Sequence, residues 1–118
     1  MNNEYSMLVY PTKEPNKFGI VETAPDGYIK GIEEKPENPK TNLASTGVLV
    51  LDKQIFNYPA RQHKNGEYYL TDSVDQMIKD GHKFVAVKSS FWLTIGFPGD
   101  LVLAEKILKE KHPMAIGL

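Results

Sequence analysis

The sequence predicts an α/β fold, a mixed sheet with two main helices, and three observations lead there. Short apolar and β-branched runs recur along the chain, only two stretches carry a helical repeat, and strands alternate with helices only in the second half. Ser6 to Tyr10 reads as a strand ended by Pro11, apolar on both faces. Lys13 to Lys17 is a polar loop. Phe18 to Glu22 and Tyr28 to Glu34 form a hairpin, because Pro25-Asp26-Gly27 between them supplies turn chemistry. Pro36 to Asn42 is a loop. Ala44 to Leu51 is the next strand, and Val48-Leu49-Val50-Leu51 is expected to be buried on both faces. Gln54 to Asn57 forms one helical turn after Asp52.

In the second half, Arg61 to Gly66 is a polar loop. Thr71 or Asp72 is expected to cap a helix that turns Val74, Met77 and Ile78 to one side and stops at Gly81. Lys83 to Ser89 is a strand, and Phe91 to Gly96 is extended or looped. Pro98 opens a last helix with Leu101, Ala104, Ile107 and Leu108 on its inner face, closed by Pro113. No repeat, linker or low-complexity tract divides the chain, so residues 1–118 are read as one domain. Two strands apolar on both faces ask for more cover than two helices give. The expectation is an incomplete domain that packs against a missing segment, a second copy or a partner chain.

Composition excludes classes without naming an activity. A net charge of -1 and a pI near 6.3 give no case for nucleic acid. No apolar stretch approaches the ~20 residues that span a bilayer, and residues 1–5 show no secretory signal. With no cysteine there are no disulfides, and a cytoplasmic location is expected. His63, His82 and His112 sit in or beside polar loops without metal-ligand spacing, so no metal site is expected from them. Glycine-rich phosphate loops and serine-hydrolase elbows are absent between Met1 and Leu118.

The chemistry-bearing run is Gly31-Ile32-Glu33-Glu34-Lys35-Pro36, followed by Ser45-Thr46-Gly47. A carboxylate accepts hydrogen bonds from sugar hydroxyls, and an adjacent ammonium neutralises a phosphate. The pair suits a ligand polar at one end and anionic at the other; an ordinary charged turn has the same composition. Gly19 either relieves a hairpin strand or marks close approach to a ligand. Glu67-Tyr68-Tyr69-Leu70-Thr71-Asp72 leads into a helix, and Trp92 is the single tryptophan.

Taken in order, Phe18-Gly19-Ile20-Val21, Gly31 to Pro36, Ala44 to Val48, Glu67 to Asp72 and Trp92 to Leu101 resemble the second, carboxy-terminal half of the sugar-1-phosphate nucleotidylyltransferases, of the glucose-1-phosphate thymidylyl- and uridylyltransferase kind. The resemblance runs from about Tyr5 to Lys109. It implies part of a nucleotide-diphospho-sugar transferase fold of Rossmann-like type. These enzymes join a hexose 1-phosphate to a nucleoside triphosphate and release pyrophosphate.

By resemblance, Gly19 lies against the sugar, Glu34 binds its hydroxyls, and Lys35 pairs with its phosphate as the catalytic cation. Ser45, with the neighbouring Thr46-Gly47 backbone, completes the pocket, and Trp92 walls the reacting phosphates. Glu67 and Asp72 match the family's approach to the helix. Mg²⁺ is implied for the complete enzyme, and the nucleoside triphosphate only together with an amino-terminal half. Two departures stand out. The family's glycine-rich nucleotide loop belongs to that other half, and Thr94 occupies the position of an expected metal-binding Asp, so no metal ligand is assigned here. Leu49 also stands where many members have Tyr. Such a chain is expected to be inactive alone; the alternative is a non-catalytic sugar-phosphate binding or regulatory module.

Overall fold

The computed structural model describes residues 4–111. Five strands form one mixed sheet: β1 (Glu4–Pro11), β2 (Gly19–Thr23), β3 (Ile29–Glu34), β4 (Leu43–Val50) and β5 (Lys83–Lys88). Two helices accompany them, α1 (Leu70–Lys79) and α2 (Pro98–Lys111). The strand order is β3-β2-β4-β1-β5, with β1 and β5 parallel and the other ladders antiparallel. Lys53–Asn57 is a 3-10 turn capped by Asp52, whose Oδ1 accepts from the Gln54 N–H at 2.9 Å. Pro15–Lys17 forms another inside the expected loop.

Alternation along β1 builds the core. Tyr5, Met7 and Val9 are buried, while Ser6, Leu8 and Tyr10 are only partly covered. The buried set packs with Val21, Ile29, Ile32 and Phe84 against Val74 and Met77 of α1. Those helix residues lie three apart on one face, as a period of 3.6 requires. Asp75 Oδ1 accepts from the Ile32 N–H at 3.0 Å, so α1 is tied to the edge strand β3 through a donor the ladder does not use. A Schellman closure ends α1: His82 N–H donates to Met77 O at 3.0 Å and Gly81 N–H to Ile78 O at 3.1 Å. It requires Gly81 at φ 96°.

Three expectations are corrected. β4 is not buried on both faces. Val48 and Val50 are 57% and 62% exposed, because α1 covers only the face that carries Met7 and Leu49, and Val50 pairs with Ser6 on the other. Neither Thr71 nor Asp72 caps α1. The cap position is Tyr69, and those two side chains reach sideways to Glu34 and His63. Leu101 is exposed; in α2 only Ala104 is buried, with Ile107 and Leu108 partly covered. His112 and Pro113 lie outside the described residues. The hairpin, the turn after Asp52, the strand over 83–88 and the irregular stretch over 91–96 match expectation.

On the edge of β4 away from β1, described pairing is limited to Ile20 with Ala44. Val50 and Val87 lie beyond that limited cover, on the sheet face opposite α1. Among the described residues no helix is long and apolar enough to cross a membrane.

Phe84, fully buried against the Tyr5 ring at a centroid distance of 5.1 Å, anchors the core. Phe84→Ala is expected to lower unfolding free energy by about 3–5 kcal/mol. Val50→Ala, on the open face, should change it by no more than ~0.5 kcal/mol. Urea denaturation of both variants checks the contrast, and equal losses would contradict the assigned faces.

Candidate functional site

Successive residues of a strand point to opposite faces, so Glu34 and Lys35 would ordinarily diverge. They do not. Lys35 has φ 47°, a left-handed conformation uncommon for a residue with a Cβ, while its N–H still donates to Phe18 O at 3.0 Å. The turn brings both side chains to the segment that leads into α1. Thr71 Oγ1 donates to Glu34 Oε2 at 2.9 Å, and Lys35 Nζ donates to the Tyr69 hydroxyl at 3.3 Å. Pro36, buried, follows and ends the strand.

Gly19 pairs with Glu34 across the β2–β3 ladder, and its missing side chain makes this arrangement possible. A Cβ there would stand 2.9 Å from both Glu34 Oε2 and Thr71 Cγ2. Glu34 and Tyr69 lie at the junction of two clefts. The smaller, about 220 Å³, is floored by Met7, Leu49 and Val74 and edged by Ser45, Gly47 and Thr71. The larger is open, about 1010 Å³, and holds Lys35 among charged side chains of both signs.

Around Lys35 the contacts are dense. Its ammonium lies 5.0 Å from the centre of the Tyr69 ring and 3.5 Å from Glu67 Oε2. The Tyr69 hydroxyl donates to Glu67 Oε2 at 2.5 Å. His63 Nε2 pairs with Asp72 Oδ2 at 2.6 Å, and the His63 ring meets the Tyr69 ring edge-on at 4.7 Å.

A family model described as nucleotidyl transferase matches residues 1–111. The chain is 35% identical over 111 residues to the bifunctional protein GlmU of Methanocaldococcus jannaschii, which covers 92% of this chain and 27% of that protein. It is 32% identical over 105 residues to the UTP–glucose-1-phosphate uridylyltransferase AglF of Haloferax volcanii, covering 86% of this chain and 43% of that one. The fold is similar to a crystal structure from Bacillus anthracis, assigned as a glucose-1-phosphate thymidylyltransferase in complex with a sucrose. That similarity has a TM-score of 0.72 at 27% identity and covers 87% of this chain and 42% of the other. This chain belongs to the nucleotidyl transferase family. It spans less than half the length of these relatives.

Within this nucleotidyl transferase chain, the structure brings together Gly19, Glu34, Lys35, Ser45 and Gly47 of the expected site. The Thr46 side chain, which the expected pocket does not use, turns away, its hydroxyl donating to Leu8 O at 2.9 Å. Trp92 is outside both clefts, edge-on to Phe18 at 5.1 Å and Tyr10 at 6.3 Å. Thr94 is exposed, and the nearby Asp100 carboxylate accepts from the N–H groups of Gly96 and Phe97 at 3.0 and 3.1 Å. A neutral Thr94 hydroxyl, with the Asp100 carboxylate already engaged by backbone N–H groups, does not fit Mg²⁺, which is held through carboxylates. Among the described residues no group of three or more acidic or imidazole side chains is arranged for a metal.

His63 and His82 lie in loops as expected, but both are engaged: His63 is partly buried against Asp72 and Tyr69, and His82 contacts the Tyr58 hydroxyl at 3.2 Å. Tyr69 was missed as a site residue. The signal was the polar row Glu67, Tyr69, Thr71: the first two alternate along the approach to α1, and Thr71 follows in the first turn of the helix.

Hydrogen bonding from Tyr69, then the charge of Lys35, holds the Glu67 carboxyl below its ordinary value of 4.5. Hydrogen bonding with Tyr69, then the charge of Glu67, raises Lys35 above 10.5 against the opposing effect of desolvation. The depressed acid contributes above its unfolded value and is lost as pH falls through its folded one. The raised base contributes below its unfolded value and is lost as pH rises through its folded one. The Lys35–Glu67 contact therefore spans the neutral range and dissolves at acid pH below 4.5 or alkaline pH above 10.5.

Gly19→Ala is expected to cost about 1–3 kcal/mol, because the methyl group must displace Glu34 or Thr71. Gly31→Ala meets only Asp75 Oδ1 at 3.4 Å and should stay within ~1 kcal/mol of the parent. Denaturation of the two variants tests this, and an equally tolerated Gly19→Ala would show that the contact is not tight.

Proposed function

We propose that residues 1–118 are the carboxy-terminal, sugar-phosphate-binding part of a sugar-1-phosphate nucleotidylyltransferase domain. The observation that carries this reading is the Glu34–Lys35 turn at the junction of the two clefts. The smaller cleft offers an apolar floor with Glu34, Ser45 and Thr71 at its edge, a surface suited to a sugar ring. Lys35 stands on the adjoining side, where an anomeric phosphate would extend.

In the reaction an oxygen of the sugar phosphate attacks the α-phosphorus of a nucleoside triphosphate. The P–O bond to the β-phosphate breaks, and pyrophosphate leaves. Here Glu34 accepts hydrogen bonds from ring hydroxyls and so fixes the sugar. Thr71, bonded to Glu34 Oε2, restricts where that carboxylate can point. Lys35 draws the phosphate into line and offsets the repulsion between two anions. The nucleotide is held elsewhere in the complete domain. Mg²⁺, where the complete enzyme uses it, supplies charge neutralisation between the reacting phosphates; the residues around Thr94 do not hold it by themselves.

The short β2–β4 pairing, limited among the described residues to Ile20 with Ala44, and the exposed Val50 and Val87 on the face opposite α1 support assembly with further protein, either the remainder of the domain or a second copy. A cytoplasmic location suits substrates of this class. Thr94 favours a second reading, a sugar-phosphate binding module without transfer chemistry. It shares the same pocket, and rates measured on the complete domain separate the two.

Alone, the 118-residue chain should release no pyrophosphate above background with any common hexose 1-phosphate and nucleoside triphosphate. Robust turnover would mean that nucleotide binding is built into these residues. In calorimetry, Lys35→Ala should weaken hexose 1-phosphate binding tenfold or more, since a charge-assisted contact is worth roughly 1.5–3 kcal/mol. Glu34→Gln should weaken the sugar phosphate but spare inorganic phosphate. Parent-like binding by both variants would reduce the pair to a charged turn.

A further inference from the structure

We propose that Glu67 and Tyr69, braced by Asn65, are positioning residues that hold the Lys35 ammonium at the mouth of the larger cleft. This rests on the sugar-phosphate reading for its ligand, though not for its geometry. A lysine side chain carries a compact charge on a flexible four-carbon stem, and a mobile ammonium must be ordered each time a phosphate binds. Here three contacts already order it: the face of the Tyr69 ring, its hydroxyl and Glu67 Oε2.

The holding group is itself fixed. Asn65 Nδ2 donates to the Tyr69 hydroxyl at 2.6 Å and to Glu67 Oε2 at 3.3 Å, and Asn65 Oδ1 accepts from the Glu67 N–H at 3.0 Å. The His63 N–H donates to Glu67 O at 2.9 Å, closing the loop on itself. The edge of the His63 ring then backs Tyr69, and its bond to Asp72 ties that backing to α1.

The fold gains little from this arrangement. Lys35 and Glu67 are 45% and 56% exposed, and ion pairs so open to water add almost nothing to stability. Yet Lys35 occupies a strained backbone conformation, and the network of three side chains converges on its ammonium. Strain and ordering spent on an exposed cation fit a site that benefits from a prearranged charge. The approach to α1 fixes Lys35 through Glu67 and Tyr69, and the helix's first turn fixes Glu34 through Thr71, so one continuous segment sets both members of the dyad.

The test reads Lys35 directly. Relaxation of the lysine ¹⁵Nζ groups in the 118-residue chain at slightly acid pH should show Lys35 markedly more ordered than exposed lysines such as Lys64. Tyr69→Leu and Glu67→Gln should each bring it down to their level, and Tyr69→Phe, which keeps the ring, should leave an intermediate value. In calorimetry Tyr69→Leu should weaken glucose 1-phosphate binding about threefold to tenfold, the ordering cost of one rotamer-rich side chain, with an unchanged denaturation midpoint. A Lys35 ammonium as mobile as the others in the parent would overturn the proposal, as would parent-like order in Tyr69→Leu. If the parent binds no sugar phosphate, the substrate reading fails while the relaxation data still decide whether Lys35 is held.

Discussion

The site depends on a left-handed residue. At Glu34 the β3 ladder with β2 ends, and Lys35, at φ 47°, turns its side chain to the same segment that Glu34 meets. For a residue with a Cβ this conformation costs on the order of 1–2 kcal/mol. Its N–H remains in the hydrogen-bond pattern through Phe18 O, and Pro36 prevents the strand from continuing. An extended Lys35 would send its ammonium to the opposite side of the sheet. Carboxylate and ammonium would then serve different surfaces.

Everything nearby is arranged around that turn. Gly19 vacates the space that lets Glu34 and Thr71 meet. Glu67 and Tyr69 in the approach to α1 meet Lys35, Thr71 in its first turn meets Glu34, and α1 is held in place through Asp75 on Ile32 and the buried Val74 and Met77. The helix has no side-chain cap of its own, because Thr71 and Asp72 are used across the cleft. Local helix stability gives way to placement of the dyad, and the packed face of α1 carries the helix instead.

Much of the fold was legible because it rests on local patterns. The hairpin follows from Pro25-Asp26-Gly27, α1 from the spacing of Val74 and Met77, and its end from Gly81 at φ 96°. The run Val48 to Leu51 misled, since apolar residues on both faces of a strand look the same whether a neighbour covers the second face or not; here none of the described elements buries Val48 or Val50. Glu34, Lys35 and Gly19 were legible as candidates from their chemistry and spacing, and their roles from a family resemblance. The roles of Tyr69, Thr71 and His63 were not, because each depends on contacts more than five residues away or on the φ angle of Lys35, and neither is written in composition or periodicity.

The chain belongs to the nucleotidyl transferase family and covers less than half the length of the relatives it matches. On the proposed reading, the Glu34–Lys35 turn and the smaller cleft beside it receive a sugar 1-phosphate. Backbone amide shifts of the 118-residue chain during titration with glucose 1-phosphate test it most directly. Saturable changes are expected, concentrated at Gly19, Glu34, Lys35, Ser45, Gly47, Tyr69 and Thr71, with inorganic phosphate moving only the part around Lys35. Saturable changes centred elsewhere, or none at millimolar ligand, would contradict it.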